Sequence, residues 1–312
     1  MTGCPEISSV RHEFAGNHTA IPIILSGFIM PTEKITSRQN ARVKDAAKLR
    51  SRRQREKQSR FLIDGAREIH RAMAAKIQFL EVYICPRYCT SQSALSALEQ
   101  LPDTGIFRAN VTPEVWEKLC FGERNEGLVV VAQTPERHLG NLSLPEKPLV
   151  AVLEGIEKPG NVGAILRTAD GAGIDGIILA DPQTDLFNPN TIRASLGTVF
   201  APHICTATLE ETLAQLRLWQ LPIFAAQPAA EALFYEMDLR QGAVLVLGSE
   251  SDGLTKAWQG NQITGVQLPM QGIADSLNVS ATAAVMFYEA IRQRGVKGAT
   301  EHGCQWQAGA GR

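Results

Sequence analysis

The sequence has no long apolar run, and this absence excludes membrane-spanning helices. The longest candidate, residues 20–30, is interrupted by Pro22 and Gly27 and falls short of the roughly 18 residues that cross a bilayer. No cluster of Lys or Arg precedes it, as a secretory signal would require. The sequence therefore predicts a protein that is neither inserted into a membrane nor exported.

Paired cysteines are also absent. The six cysteines form no CxxC motif, and Cys85 and Cys89 have no second Cys or His pair that would complete a zinc site. We interpret all six as reduced thiols of a cytoplasmic protein, and we expect no metal. The six are Cys4, Cys85, Cys89, Cys120, Cys205 and Cys304.

Net charge is nearly absent, yet the charges are unevenly distributed. The formal net charge is −1, but eleven Lys or Arg residues are concentrated between Lys34 and Arg60. Such a run is often only the solvated face of a helix, and it is also the composition that contacts nucleic-acid phosphates. The candidate RNA contacts are Arg38, Arg42, Arg50, Arg52, Arg53 and Arg55.

The length and composition predict two domains. A chain of 312 residues, 44% of them apolar, can bury two cores. Residues 34–133 alternate between strand-like and helical patterns, which is typical of a small α/β sandwich. Residues 134–147 are polar and contain Pro, Gly and Asn, which indicates a linker. The predicted strands of the first domain are residues 61–65, 80–86 and 128–132, and its predicted helices are residues 66–75 and 91–100.

Residues 148–294 form the second predicted domain. Its short, continuous apolar runs are typical of strands that are buried on both faces of a parallel sheet. Helical patterns separate these runs, so we predict an α/β domain with helices on both faces of the sheet. The predicted strands are residues 149–155, 176–180, 222–226 and 243–248, and the predicted helices are residues 161–172, 209–219 and 279–293.

The two ends of the chain do not share these patterns. Residues 1–33 have no consistent period, and we expect either a flexible extension or the product of an upstream start. Residues 295–312 are expected to form a flexible tail.

Three stretches of the second domain place polar residues where ligands commonly bind. Residues 158–173 (KPGNVGAILRTADGAG) open a helix after a strand, and residues 245–254 (LVLGSESDGL) turn sharply at the end of another strand. Residues 268–294 run from a polar loop into a helix that is apolar on nearly every face. Such a helix must be covered on more than one side, by the sheet and by a partner subunit.

Each stretch also has a simpler interpretation. Asn161, Ser276 and Asn278 are residue types that commonly cap helices, and Glu250 could be an exposed loop acid. Residues 171–176 formally match the dinucleotide pattern GxGxxG. The glycines end a helix instead of opening one, which argues against that fingerprint.

Taken together and in this order, the three stretches resemble the signature motifs of the SpoU (TrmH-like) branch of the SPOUT RNA 2′-O-methyltransferases. The resemblance is close over residues 148–294 and looser over residues 34–133. It implies a parallel sheet with a deep trefoil knot, and a first domain similar to a ribosomal protein that binds RNA. It also implies S-adenosylmethionine as methyl donor and a homodimer that pairs through the last helix.

The resemblance assigns roles to individual positions. It implies an active site formed by Asn161, Arg167, Glu250, Asn278 and Ser280. It implies donor contacts, largely through the main chain, from Leu247, Gly248, Ser249, Leu268, Met270, Leu277, Asn278 and Thr198.

The implied reaction needs an activated ribose hydroxyl, because a free 2′-OH is a poor nucleophile. The site must align it with the methyl group and stabilise negative charge as the proton leaves. The motifs contain no His or Cys that would act as an ordinary base. Whether Arg167 is a base or a charge stabiliser stays open, although a guanidinium is hard to deprotonate.

The substrate follows less directly than the reaction. A 2′-OH target implies RNA instead of DNA. The resemblance implies large-subunit ribosomal RNA over transfer RNA, because family members with a separate first domain of this size more often act on it. The alternatives are a tRNA methyltransferase, a non-catalytic RNA-binding member of the same fold, and a dinucleotide enzyme that acts on a small molecule.

Overall fold

The structure is a computed structural model that describes residues 33–102, 104–121, 126–260 and 262–295. Almost all of the predicted extension and tail, residues 1–33 and 295–312, lies outside these ranges. Within the described part of the chain, no helix is both long and apolar enough to cross a membrane.

The first domain is built on a five-stranded mixed sheet with the order β1-β4-β3-β5-β2. β4 pairs in parallel with β1 and β3, and β5 pairs antiparallel with β3 and β2. The strands are β1 (Glu33–Ile35), β2 (Arg60–Asp64), β3 (Phe79–Ile84), β4 (Phe107–Val111) and β5 (Leu128–Gln133).

Within the described residues, five short α-helices accompany this sheet, and apolar side chains from both layers form the core. Val43 of α1 and Trp116 of α5 pack with Tyr83 of β3 and Val129 of β5, and all four are buried. The helices are α1 (Ala41–Lys48), α2 (Arg52–Gln58), α3 (Ala66–Ala74), α4 (Gln92–Glu99) and α5 (Pro113–Leu119). The predicted small α/β domain with its own sheet is confirmed.

The second domain contains a seven-stranded sheet with the order β10-β12-β9-β11-β6-β7-β8, and every pairing is parallel. The central strands β6, β7 and β11 are buried along their whole length. The strands are β6 (Leu149–Glu154), β7 (Gly176–Ala180), β8 (Ile204–Ala207), β9 (Ile223–Ala226), β10 (Ala232–Leu233), β11 (Ala243–Leu247) and β12 (Ile263–Gln267).

Four α-helices belong to the described part of this domain, and their ends follow from local sequence signals. Pro159 at the first turn of α6 suits a helix start, and Gly173 ends it with φ +64°. Thr208 and Glu211 form a reciprocal capping box at the start of α8. The helices are α6 (Pro159–Ala172), α7 (Pro189–Ala194), α8 (Leu209–Trp219) and α9 (Val279–Arg294).

The parallel α/β architecture predicted from the apolar runs is confirmed, as are all the predicted strands and helices within a few residues. The sequence patterns missed β1, β4, β8, β10, β12, α5 and α7. These elements are short, and β4 alternates apolar positions with Arg108 and Asn110. The trefoil knot stays a prediction.

The predicted linker, residues 134–147, is packed against the second domain. Leu139, Leu142 and Leu144 contact the core of that domain. Arg137 donates hydrogen bonds of 2.7 Å to the carbonyl oxygens of Phe200 and Ala201. The segment is therefore held along the second domain by apolar and polar contacts.

Candidate active site

Three segments that are far apart in sequence meet at the carboxyl edge of the parallel sheet. They follow β6, β11 and β12. In the sheet, β7 and β8 lie on one side of β6, whereas β11 and the other later strands lie on its other side. This is the position where ligands bind in open α/β sheets. A cleft of about 580 Å³ opens there, which lies within the size range of small-molecule sites.

The loop after β11 is a closed turn. Ser249 and Gly253 exchange two backbone hydrogen bonds, of 3.1 and 3.2 Å. Gly253 has φ +68°, and a Cβ on Gly248 would lie only 2.4 Å from the carbonyl carbon and oxygen of Gly253. The turn therefore requires glycine at both positions. Gly253 is needed for its positive φ, and Gly248 is needed because the backbone of Gly253 lies so close to it.

A buried carboxylate fixes the far side of this loop. Glu154, at the end of β6, is 4% exposed and accepts hydrogen bonds from the backbone N–H of Thr255 (2.9 Å) and from its hydroxyl (2.7 Å). A buried charge needs such partners to be tolerated. The loop is thus anchored to the neighbouring strand, although no sequence pattern singled out Glu154.

The carboxylate of Glu250 is the point at which the three segments join. Its Oε1 accepts hydrogen bonds from the side-chain amides of Asn161 and Asn278, each over 2.5 Å. Its Oε2 accepts one from the ammonium group of Lys158, and this pair raises the pKa of Lys158 above its ordinary value. The sequence interpretation included the two asparagines but missed Lys158.

Asn161 does not cap its helix. The cap position of α6 is Lys158, and Asn161 lies within the first turn, so its amide is free to reach Glu250. The simple capping interpretation of Asn161 is therefore wrong.

Asn278 caps its helix and also contacts Glu250. Its Oδ1 caps α9 by accepting hydrogen bonds from the backbone N–H of Ser280 (2.9 Å) and its hydroxyl (2.6 Å). Its Nδ2 faces the other way and donates to Glu250. Capping thus orients the amide toward the carboxylate.

Arg167 is separated from this cluster. It is exposed and does not line the cleft. It lies one helical turn before Gly171, and a Cβ on Gly171 would lie 3.4 Å from the hydroxyl of Tyr288. Arg167 therefore shares a surface with α9 instead of joining Glu250.

Most of the predicted donor-binding residues line the cleft, and one does not. Those in the cleft are Leu247, Gly248, Ser249, Leu268, Met270, Leu277 and Asn278. Thr198 is 2% exposed and donates its hydroxyl hydrogen to the carbonyl of Ser195 over 2.9 Å. Thr198 lies in the protein interior and does not line the cleft, so its predicted cofactor contact is not supported. The cleft also includes Phe234 and Met286, which sequence patterns did not separate from ordinary core residues.

The six candidate RNA-binding arginines fall into different environments. Arg38 and Arg53 are exposed, while the guanidinium of Arg42 lies 4.1 Å from the ring centre of Phe107. Arg50 donates to the carbonyl of Cys120.

Arg52 and Arg55 both reach the second domain. Arg52 donates to the carbonyl of Gln183 over 2.6 Å. Arg55 is 4% exposed and forms an ion pair with Asp185, which corrects its predicted role as a phosphate contact.

Comparison with known proteins agrees with this architecture. A family profile described as the SpoU rRNA Methylase family matches residues 148–288, and one described as an MRM3-like substrate binding domain matches residues 40–130. A crystal structure of an RNA 2′-O ribose methyltransferase is 39% identical to this chain, with a TM-score of 0.73. The match covers 84% of this chain and 99% of that one. The chain belongs to the SpoU rRNA methylase family.

Two further relatives are similar over much of their length. The methyltransferase AviRb from Streptomyces viridochromogenes, in complex with the cofactor AdoMet, is 25% identical with a TM-score of 0.76, over 82% of this chain and 98% of that one. The 23S rRNA (guanosine-2′-O-)-methyltransferase RlmB of Bordetella pertussis is 31% identical over 202 residues, which is 63% of this chain and 82% of RlmB.

Proposed function

We propose that this SpoU-family protein transfers a methyl group from S-adenosylmethionine to a ribose 2′-hydroxyl of RNA, with large-subunit (23S) ribosomal RNA as its substrate. The observation that carries the proposal is the convergence of Asn161 and Asn278 on Glu250 beside a cleft. The similarity to RlmB, a 23S rRNA (guanosine-2′-O-)-methyltransferase, supports the reaction. The AdoMet bound in the AviRb structure supports the methyl donor. Such an enzyme would act in the cytoplasm, with ribosomal RNA.

The cleft fits S-adenosylmethionine in size and in chemistry. Apolar side chains, among them Phe234, Leu268 and Met286, line one part and suit the adenine ring. Main-chain groups of residues 247–249, together with Met270 and Leu277, offer hydrogen-bonding partners for the polar parts. When bound, the donor supplies an electrophilic methyl group on its sulfonium.

The residues around Glu250 would hold the attacking ribose. In the transfer, a carbon–oxygen bond forms, the carbon–sulfur bond breaks and the 2′-oxygen loses its proton. No His or Cys lines the cleft within the described residues. We assign Glu250 to accept or relay the proton, and Asn161, Asn278 and Ser280 to orient the hydroxyl.

The exposed face of α9 supports a homodimer. Val285 is 45% exposed and Tyr288 is 53% exposed, and Leu277 just before the helix is 40% exposed. Val285 and Tyr288 lie three residues apart on α9 and share one face, which forms an apolar stripe that a second copy would cover. Arg167 borders this stripe, and we propose that dimerisation brings it to an active site as a charge-stabilising group.

The test is a methylation assay with radiolabelled S-adenosylmethionine. The substrate is 23S ribosomal RNA from a strain that lacks the gene, and transfer RNA from that strain is assayed in parallel. We expect label in 23S RNA at one ribose, which a 2′-deoxy substitution at the mapped nucleotide abolishes. Label in transfer RNA alone would support the tRNA alternative. Donor binding without label in any RNA would support the non-catalytic alternative.

A further inference from the structure

The junction between the two domains contains a bidentate ion pair between Arg55, which is 4% exposed, and Asp185, which is 19% exposed. Nε of Arg55 donates to Oδ1 of Asp185 over 3.1 Å, and Nη2 donates to Oδ2 over 2.5 Å. Nη1 of Arg55 donates to the carbonyls of Leu49 (2.7 Å) and Arg50 (2.8 Å). The guanidinium thus uses each of its three nitrogens within the protein, which gives it one orientation.

Aromatic packing fixes the same junction from another side. Phe61 of β2 stacks on Phe187 and Phe200 of the second domain, with ring centres 4.5 and 6.0 Å apart. All three side chains are buried. Arg71 of α3 adds a hydrogen bond of 2.8 Å to the carbonyl of Leu196. The first domain is therefore held at several separate points of residues 183–200.

The segment that receives these contacts also packs tightly against α6. A Cβ on Gly163 would lie 2.5 Å from the Cβ of Ala194 and 2.8 Å from the backbone nitrogen of Ser195. This approach is too close for any other residue, so α6 and α7 cannot shift independently. Gly163 lies between Asn161 and Arg167, so the docked segment supports the helix that carries both.

We propose that Arg55 is a positioning residue for methyl transfer, which acts by fixing the RNA-binding domain in register with α6. The inference rests on the proposed function. The ion pair sets the distance and angle between the surface that holds RNA and the cluster at Glu250. RNA bound by the first domain would then present its ribose to the active site in one geometry. Small misplacements of reacting groups slow enzymes strongly. The Arg55–Asp185 pair should therefore affect the rate of methyl transfer.

Two variants separate positioning from stability. Arg55→Lys keeps the charge but loses the planar fork. The double variant Arg55→Met with Asp185→Leu replaces the ion pair by apolar groups, a change that is often neutral or stabilising at buried sites. We expect both to bind S-adenosylhomocysteine and 23S RNA within about threefold of the wild type. We expect the single-turnover rate at saturating RNA to fall about 10- to 100-fold in both.

The matched control is an exposed Arg–Asp pair that spans no junction. Arg240 also binds Asp238 through two contacts, of 2.9 and 3.0 Å, but both side chains are more than half exposed. Arg240→Lys should leave the rate unchanged. The rate of proteolysis within residues 134–147 is measured in all variants, and we expect it to increase in Arg55→Lys and in the double variant and to stay unchanged in Arg240→Lys.

Two results would overturn the proposal. If the double variant recovers both melting temperature and rate, the pair contributes stability alone. If RNA binding weakens while the rate at saturating RNA is unchanged, Arg55 acts through phosphate binding. A wild type that binds S-adenosylhomocysteine but methylates no RNA would overturn the proposed function. In that case the proteolysis comparison would still decide whether Arg55 fixes the junction.

Discussion

Asn161 and Asn278 donate their side-chain amides to the same oxygen atom of Glu250, each over 2.5 Å. One asparagine lies in the first turn of α6 and the other caps α9. The shared carboxylate therefore ties together the segments after β6, β11 and β12. A disturbance of any one of the three residues should affect the positions of the other two.

Glu250→Gln tests whether methyl transfer needs the negative charge of Glu250. Gln keeps the shape, but its NH2 group replaces one acceptor oxygen, so it cannot accept hydrogen bonds from both Lys158 and the asparagines. We expect methyl transfer to fall by at least about a hundredfold, the scale of losing one transition-state contact. S-adenosylhomocysteine binding, measured by calorimetry, should stay within threefold. Glu210→Gln, an exposed carboxylate on α8, is the control. A Glu250→Gln enzyme with normal single-turnover rate would remove Glu250 from the mechanism.

The apolar stripe on α9 predicts the oligomeric state. Val285→Asp together with Tyr288→Asp places charges where a second copy would pack. Light scattering should give about twice the chain mass of 34.0 kDa for the wild type and the single mass for the variant. Leu218→Asp is the control, because Leu218 is 76% exposed on α8, outside the stripe. A monomeric wild type with full activity would contradict the dimer.

Arg167 should act on the chemical step and not on donor binding. Arg167→Ala is expected to lower the single-turnover rate by at least about a hundredfold, with S-adenosylhomocysteine binding near normal. Arg167→Lys keeps the charge without the planar fork, so recovery by Lys would mean that charge alone is needed.

Mixed dimers test where the arginine acts. Co-expression of Arg167→Ala with Glu250→Gln should restore activity if Arg167 serves the partner's site, because one of the two sites is then complete. No recovery is expected if both residues serve the same site. Normal rates in both Arg167 variants would remove this residue from the mechanism.

The exposed arginines should carry the electrostatic contact with RNA. Replacing Arg38 and Arg53 with Gln should weaken RNA binding and reduce the slope of log K against log salt, by roughly 0.7–0.9 for each lost phosphate contact. The slope is measured by filter binding at several salt concentrations. Arg217→Gln is the control, because Arg217 is exposed and lies on α8, outside the basic run. An unchanged slope would mean that the basic run is only a solvated face.

Asp64 should make stability depend on pH. Burial raises its pKa to about 6, a shift that Glu126 and Glu68 increase and that the backbone N–H of Phe121 and the charge of Arg193 oppose. Because the folded protein binds this proton more tightly, the contribution of Asp64 is fully present below pH 3.8 and is lost as pH rises through about 6. The loss in the free energy of unfolding is roughly 3 kcal/mol, at about 1.4 kcal/mol per pKa unit.

Asp64→Asn tests this contribution by urea unfolding between pH 4 and pH 7. Asn can still accept the hydrogen bond from Phe121 but carries no charge. We expect its stability relative to the wild type to increase between pH 4 and about pH 6 and then to level off. Asp238→Asn is the control, because the pKa of Asp238 is about 2 and lies outside the range. A difference that does not vary with pH would contradict the prediction.

The sequence by itself determined four strands and three helices of the second domain, together with the loops that form its site. Continuous apolar runs such as residues 149–153 are buried on both faces, as strands in the middle of a parallel sheet are. Since parallel strands end at one edge, the polar motifs after β6 and β11 had to lie close together. The position of the cleft therefore followed from local patterns.

Only the tertiary structure decided what individual polar side chains do. Arg53 and Arg55 are neighbours in one basic run, yet one is exposed and the other is buried against Asp185. Thr198 and Asn278 both matched family positions, yet Thr198 bonds within its own turn while Asn278 reaches Glu250. The physical reason is that periodicity encodes which face of an element is buried. The partner of a charged or polar group is set by distant segments that only folding brings together.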